Sequence, residues 1–316
     1  MIILTGGAGF IGSNPLSGLN AKGITDVLVV DRRGDNFRNL RDLRFTDFIE
    51  PEEFTSAIER KIVPARIDAI FHQGACADTT CNDSRYMIEN NFTFSKLILH
   101  FALSSKTPLV YASSAAVYGS SRAFAASREN ERPLNLYGLS KLAFDNHVRA
   151  VAAKAESTVA GLRYFNVYGP RESHKDKMAS MVYQLYRQLK TSGRARLFKG
   201  TDGYEDGEQR RDFVFVDDIV RVNLALAEGP VRNGIFNVGT GQARSFNDVA
   251  KLIIAQVGTG AIEYVEFPQS LAGKYQSFTQ ADISDLRKAG YDESFATLET
   301  GIPQSIDSWN RESTGD

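Results

Sequence analysis

The sequence predicts an α/β fold, a doubly wound parallel sheet with a smaller α/β substrate-binding lobe. Three observations carry that prediction. A short apolar run, Ile2 to Leu4, ends in glycines and passes straight into an apolar-periodic stretch from Phe10 through Leu16 to Leu19, which reads as buried strand, tight turn and helix start. Short apolar runs then alternate with helical periodicity as far as Tyr164, the pattern of a parallel sheet with helices on both faces. Beyond Gly169-Pro170 the alternation gives way to a polar loop, isolated short runs and separate helices.

The first turn, Thr5-Gly-Gly-Ala-Gly-Phe-Ile-Gly12, fits G-x-G-x-x-G through Gly7, Gly9 and Gly12, and the wider spacing through Gly6, Gly9 and Gly12. One glycine makes the turn, one admits a pyrophosphate to the backbone, and one lets the helix sit close on the strand. The helix N-terminus offers unpaired N–H groups to phosphate. A second strand, Val27 to Val30, ends in Asp31, roughly 20 residues on, where an acid can bind a ribose hydroxyl. This is a Rossmann-type dinucleotide site. Asp31 suggests NAD, whereas Arg32 and Arg33 suit a 2′-phosphate, and the reading favours NADP over NAD. Pro15 falls in the proposed helix, where it removes a backbone hydrogen bond; a kink or a late start would accommodate it.

Bulk properties narrow the class. The 316 residues are 42% hydrophobic and 24% charged with a net charge of −1, ordinary for a globular protein and without the footprint of a nucleic-acid or membrane binder. No apolar run reaches spanning length, and Met1 practically begins the first strand, so no signal peptide and a cytoplasmic location are expected. The spacing of Cys76 and Cys81 fits neither a zinc pair nor a C-x-x-C site, so reduced thiols and no metal are expected.

Further along, Leu43 to Phe45 is predicted as a third strand with Thr46-Asp47-Phe48 at its end, and Pro51-Glu52-Glu53 opens a helix. Ile67 to His72 reads as the fourth strand, leading into Gln73-Gly74-Ala75-Cys76, small enough for close cofactor packing. Tyr86 to Leu103 carries helical periodicity, with Asn91 facing either the cofactor loop or solvent. Leu109 to Ala112 is the fifth strand, and Ser114 follows at the edge of the sheet where ligands bind in open α/β folds. Tyr137 and Lys141 are four apart on the next helix and share one face. An ammonium beside a phenol lowers the phenol's pKa from about 10, and a tyrosine so tuned can move an alcohol proton while hydride passes to a nicotinamide.

Strand Val159 to Tyr164 is followed by Phe165 to Arg171, a polar loop from Glu172 to Lys177, and a helix from Met178 to Leu189. Then come Arg196 to Phe198, a Gly-rich loop from Gly200 to Gly207, and Gln209 to Val216, with Asp217 or Asp218 capping a helix to Glu228. Phe236 to Gly239, Ser245 to Val257, Ile262 to Val265, the Lys274-Tyr275-Gln276 loop and a helix near Leu298 to Trp309 complete the chain. Trp309 reads as packing. The expected division is residues 1–167 plus about 211–240 for the dinucleotide, and about 168–210 plus 241–316 for the substrate.

Thr5-Gly6-x-x-Gly9-x-x-Gly12, Ser114, Tyr137-x-x-x-Lys141 and Arg211-Asp-Phe resemble the extended short-chain dehydrogenase/reductase superfamily over almost the whole chain. Three narrower stretches resemble the ADP-L-glycero-D-manno-heptose 6-epimerase family: Phe71-His-Gln-Gly-Ala-Cys76, Arg163-Tyr-Phe-Asn-Val-Tyr-Gly-Pro-Arg-Glu172 with His174-Lys175, and Gly273-Lys-Tyr-Gln-Ser-Phe-Thr-Gln-Ala-Asp282. That resemblance implies epimerisation of an ADP-heptose with tightly held NADP, for lipopolysaccharide inner-core heptose, by a homo-oligomer, commonly a pentamer. It implies cofactor contacts from Gly6, Gly9, Phe10, Ile11, Gly12, Asp31, Arg32, Gln73, Gly74, Ala75, Cys76, Ala77, Asn91, Lys141, Val167 and Lys175. Asn166, Phe198, Lys199, Gly200, Thr201, Arg211 and Tyr275 would contact the nucleotide sugar. Tyr137 and Lys175 would be the two acid/base groups, with Ser114 and Lys141 in support.

The sequence departs from the family at substrate-side positions, where Lys177 stands for a serine and Gln184 for a histidine. Basic residues after the second and third strands are missing near Asn36 and Pro51, and the loop before Arg211 is longer. Two other readings stay open, a nucleotide-sugar 4-epimerase or dehydratase of the same superfamily and a non-catalytic NAD(P)-binding sensor. Dehydratases place acids after the serine, where Ala115 and Ala116 stand, and a sensor has no use for Tyr137 and Lys141.

Overall fold

A computed structural model describes residues 1–63, 66–269 and 275–314; Gly273 and Lys274, named above, lie outside the described residues. The first half runs β1 (Ile2–Thr5), α1 (Phe10–Ala21), β2 (Val27–Val30), β3 (Asp47–Ile49), α2 (Pro51–Glu59) and β4 (Ala69–His72). It continues with α3 (Ser84–Ile88), α4 (Phe94–Ser105), β5 (Leu109–Ser114), α5 (Leu136–Val151) and β6 (Val159–Tyr164). Then come β7 (Asn166–Tyr168), α6 (Met181–Ser192), β8 (Arg194–Phe198), β9 (Arg210–Arg211), β10 (Phe213–Phe215) and α7 (Val216–Ala227). The last elements are β11 (Asn233–Val238), β12 (Arg244–Ser245), α8 (Phe246–Val257), β13 (Ala261–Val265), α9 (Ser284–Lys288) and α10 (Leu298–Thr314).

Seven strands form one parallel sheet in the order β11-β6-β5-β4-β1-β2-β3. All four residues of β1 are buried, as expected of a strand covered on both faces. Ile2 is in register with Val27 on one side and Ala69 on the other. The chain therefore winds outward from β1 in both directions, and the crevice at the carboxyl ends of β1 and β4 is the switch point where ligands bind in such sheets. On one face Leu4, Leu16, Val29 and Phe71 pack with Val220 and Leu224 of α7. On the other, Ile3, Ile70, Leu99, Tyr111 and Phe144 close under α4 and α5.

A further core joins Tyr183, Tyr186, Leu197, Phe246 and Trp309. Trp309 is buried and its indole N–H donates to the Gly169 carbonyl at 3.0 Å, a packing role as expected. Short two-stranded pairs, β8 with β13, β7 with β10 and β9 with β12, carry this part of the molecule.

Several boundaries differ from the sequence expectation. The third strand is Asp47–Ile49, not Leu43 to Phe45; Leu43 and Phe45 are apolar because they pack against the core from the connection. The helix expected from Tyr86 to Leu103 is interrupted by a π-turn over Glu89–Thr93, which a count of apolar positions does not detect. The helix expected from Met178 starts at Met181, because Ser180 caps it by accepting from the Tyr183 N–H at 3.1 Å. Asp217 and Asp218 do not cap α7, which runs directly out of β10 with Phe215 at the cap position and both acids in the first turn. Helix α1 continues through Pro15, with the Ser13 hydroxyl and Asn14 carboxamide bonding back to the Gly9 and Phe10 carbonyls.

Candidate active site

The glycine turn closes against β4. Gly6 has φ of +68°, and a Cβ there would lie 2.5 Å from the Gly74 nitrogen. Only glycine fits, and its absence of a side chain brings the β1 and β4 loops together. The Thr5 hydroxyl completes the junction by accepting from the Gly74 N–H at 3.1 Å. No acid stands in the first turn of α1, and Gly9 caps it without a side chain, leaving the backbone N–H end for phosphate. A cleft of about 460 Å³ opens from this turn, walled by residues that include Gly6, Asp31, Gly74, Ala75 and Cys76. These residues fit a dinucleotide.

Asp31 sits where the sequence places it. Its carboxylate accepts from the Ala8 N–H at 2.9 Å and the Arg32 N–H at 2.8 Å, and burial raises its pKa despite those bonds. Asn91 faces the loop of residues 73–77, not solvent. It is fully buried in the π-turn; its carboxamide accepts from the Cys76 N–H at 2.7 Å and donates to the Cys76 carbonyl at 3.0 Å. Such turns recur at functional sites; here it aims one side chain at a loop. Gln73 is spent differently, with its amide linking Tyr164 and Asn223.

Tyr137, Lys141 and Ser114 come together at the end of β5. Asn135 caps α5 by accepting from the Gly138 N–H at 2.8 Å. A Cβ on Gly138 would stand 2.7 Å from the Ala116 carbonyl, so glycine there lets α5 approach the loop after Ser114. The Ser114 hydroxyl hydrogen-bonds the Tyr137 phenol and accepts from the Ala116 N–H at 3.1 Å.

The expected acidification of Tyr137 is overturned. The Lys141 ammonium donates to the Ala112 carbonyl at 2.9 Å. Burial and the neighbouring Cys76 raise the Tyr137 pKa, outweighing the Ser114 bond. Lys141 itself is pushed down to about 8 by burial, against the pull of Asp145 one helical turn on. At neutral pH the phenol keeps its proton.

Lys175 stands against the start of α1, on the turn that follows β7. Its ammonium lies 5.7 Å from the centre of the Phe10 ring at the start of α1, and burial lowers its pKa. The turn that carries it, Ser173–Met178, is pinned from several sides. The Asn39 carboxamide donates to the carbonyls of Ala8 at 2.9 Å and Arg171 at 3.1 Å and meets His174 at 3.1 Å, tying the glycine turn to the Lys175 turn. Glu172, expected in a polar loop, is fully buried. It accepts from the Gly169 N–H at 3.0 Å and from the Ser180 N–H and hydroxyl at 2.6 and 2.9 Å, yet burial pushes it up to about 7. The sequence offered no sign of Asn39, and it marked Glu172 only as the end of a family-like stretch and the start of a polar loop. Asp145 could have been found, since it stands one turn after Lys141 on the same face.

The substrate-side candidates split. Arg211 lies 4.8 Å from the centre of the Tyr275 ring, and Phe198 meets Tyr275 edge-on at 6.2 Å between centres. These three form one aromatic and cationic wall. Asn166 and Val167 lie on β7 beside it, with Asn166 accepting from Thr279 at 3.4 Å. Lys199 is exposed and pairs with Glu266, while Gly200 and Thr201 shape the turn through the Asp206 carboxylate and the Tyr204 N–H. Lys177 is exposed, with Asp78 in its field. Gln184 donates to the Asp176 carbonyl at 2.7 Å, bracing the Lys175 turn. Among the described residues no group of acids, histidines and cysteines could hold a metal, and no helix is long and apolar enough to cross a membrane.

Comparison with known proteins gives this geometry a family. The model of the NAD dependent epimerase/dehydratase family matches residues 2–239. The chain is 52% identical to the ADP-L-glycero-D-manno-heptose-6-epimerase of Alkalilimnicola ehrlichii, with 97% of each chain covered. It is 47% identical to the Thiobacillus denitrificans enzyme of the same name, covering 96% of this chain and 97% of that one. The crystal structure of the Helicobacter pylori ADP-L-glycero-D-manno-heptose-6-epimerase superposes with a TM-score of 0.85 at 32% identity, covering 97% of this chain and 95% of that one. The chain belongs to the NAD dependent epimerase/dehydratase family and, within it, to the ADP-L-glycero-D-manno-heptose-6-epimerases.

Proposed function

We propose that this chain inverts C6 of ADP-D-glycero-D-manno-heptose to give the L-glycero form, supplying heptose for the lipopolysaccharide inner core. A nicotinamide dinucleotide held at the glycine turn, Asp31 and the Gly74 to Cys76 loop would supply reversible hydride transfer at C6, through a planar ketone that is reduced from its other face. The protein's own work is to bind the nucleotide sugar, let the ketone turn, and move the hydroxyl proton. Phe198, Arg211 and Tyr275 suit the nucleotide end, because a guanidinium and aromatic rings complement phosphate and base. Asn166, Lys177 and Gln184 would lie toward the sugar.

The observation that carries this reading is the Tyr137 phenol held against Ser114 at the end of β5, and Lys175 is proposed as the second proton-transfer group. Burial raises the Tyr137 pKa and lowers that of Lys175. In this reading Lys175 would remove the hydroxyl proton in the first half and Tyr137 would donate to the ketone oxygen in the second. In the reverse reaction they exchange tasks. Ser114 orients the phenol and Lys141 fixes the end of β5. The working form is proposed to be a homo-oligomer.

Incubation of the purified chain with ADP-D-glycero-D-manno-heptose and, separately, with UDP-galactose tests the substrate. The reading predicts that chromatography resolves a new ADP-heptose epimer and leaves UDP-galactose untouched. Conversion of UDP-galactose with none of ADP-heptose would replace it with a 4-epimerase.

A further inference from the structure

We infer that the dinucleotide site of this chain selects NAD over NADP through the acids that surround the ribose corner. The inference rests on the reading that the glycine turn holds a nicotinamide dinucleotide, and deepens it. The two cofactors differ at one oxygen. NAD presents a hydroxyl that can donate to a carboxylate, whereas NADP presents a phosphate of nearly two negative charges that requires cations.

Asp31 is fixed by the Ala8 and Arg32 N–H groups, and each carboxylate oxygen retains capacity to accept another hydrogen bond. The arginines that follow are engaged. The Arg32 guanidinium lies 2.6 Å from a Glu52 oxygen, and Arg33 lies 3.9 Å from Glu50. Both acids belong to the start of α2, where Glu50 and Glu53 form a capping box and Glu52 occupies the first turn. The positive helix end favours all three. Among the described residues the cleft is walled by Asp31, Glu52, Glu59 and Glu89, with Arg32 as its cation.

A 2′-phosphate here would meet an excess of carboxylates and break the Arg32–Glu52 pair. A 2′-hydroxyl meets an acceptor. The sequence expectation of NADP took the arginines as available; their partners lie some twenty positions on and become visible only when β3 brings α2 alongside.

Titration calorimetry of the full chain, stripped of bound dinucleotide, tests this with NAD and NADP separately. NAD is expected to bind at least tenfold more tightly, about 1.4 kcal/mol. Glu52→Lys should tighten NADP tenfold or more while moving NAD less than threefold. Equal or tighter binding of NADP by the unsubstituted chain would overturn the inference. So would an unchanged NADP-to-NAD ratio in Glu52→Lys. Binding of neither dinucleotide would overturn the site itself, a separate and larger failure.

Discussion

At the scale of single residues, Tyr137 is the group with most at stake. The phenol is held by Ser114 and capped into place by Asn135 and Gly138, and burial keeps it protonated. Tyr137→Phe removes one hydroxyl from a position that the glycine turn does not depend on. The variant should retain bound dinucleotide, read as its release on denaturation, while turnover falls at least 100-fold, within the usual range for a lost acid/base group. Turnover near the original rate would remove Tyr137 from the chemistry. Ser114, Tyr137 and Lys141 were legible in the sequence because a four-residue helical spacing and a strand end fix their places. Their protonation was not. It depends on a carbonyl of β5 competing for the ammonium, and on burial that no spacing reports.

At the scale of elements, the turn from Ser173 to Met178 is where the sequence was least informative. Its polar composition reads as a solvated loop, yet Glu172 at its head is buried and joins Gly169 to the cap of α6. The carboxyl has a folded-state value of about 7 against the ordinary 4.5. A raised carboxyl means that the folded chain binds the proton more tightly than the unfolded chain. Stability from this group is thus greatest below pH 4.5 and falls as pH rises through 7, by on the order of 3 kcal/mol. His72 works in the opposite sense. It is buried and pushed down to about 3, so its contribution is lost as pH falls below 6.5.

Comparing Glu172→Gln with the original chain isolates the first effect. The variant should gain relative stability in denaturant unfolding between pH 4.5 and 7 and level off above. Parallel stability curves would show that the carboxyl is not forced to titrate in that window. Elsewhere the boundaries that moved have local causes, namely a serine cap at Ser180 and a π-turn around Asn91. The apolar Leu43 and Phe45 likewise serve the core from a connection. Periodicity reports burial, and burial alone does not separate a strand from a packed loop.

At the scale of the whole molecule, the doubly wound parallel sheet was legible because its central strands are short apolar runs buried on both faces, whereas the order of its seven strands and the place of the half-exposed β3 were not. What the sequence could not supply was the convergence of distant segments. Asn39 joins the glycine turn to Arg171 and His174, and through them to the turn that carries Lys175. Helix α2 brings its acids to Arg32 and Arg33. The central claim is that this convergence supports hydride leaving and returning at one carbon, with protons handled separately by Tyr137 and Lys175. Nuclear magnetic resonance of the product formed from ADP-D-glycero-D-manno-heptose in deuterium oxide tests it most directly. The account predicts the L-glycero epimer with protium retained at C6; deuterium at that carbon would mean proton abstraction from carbon, and would contradict it.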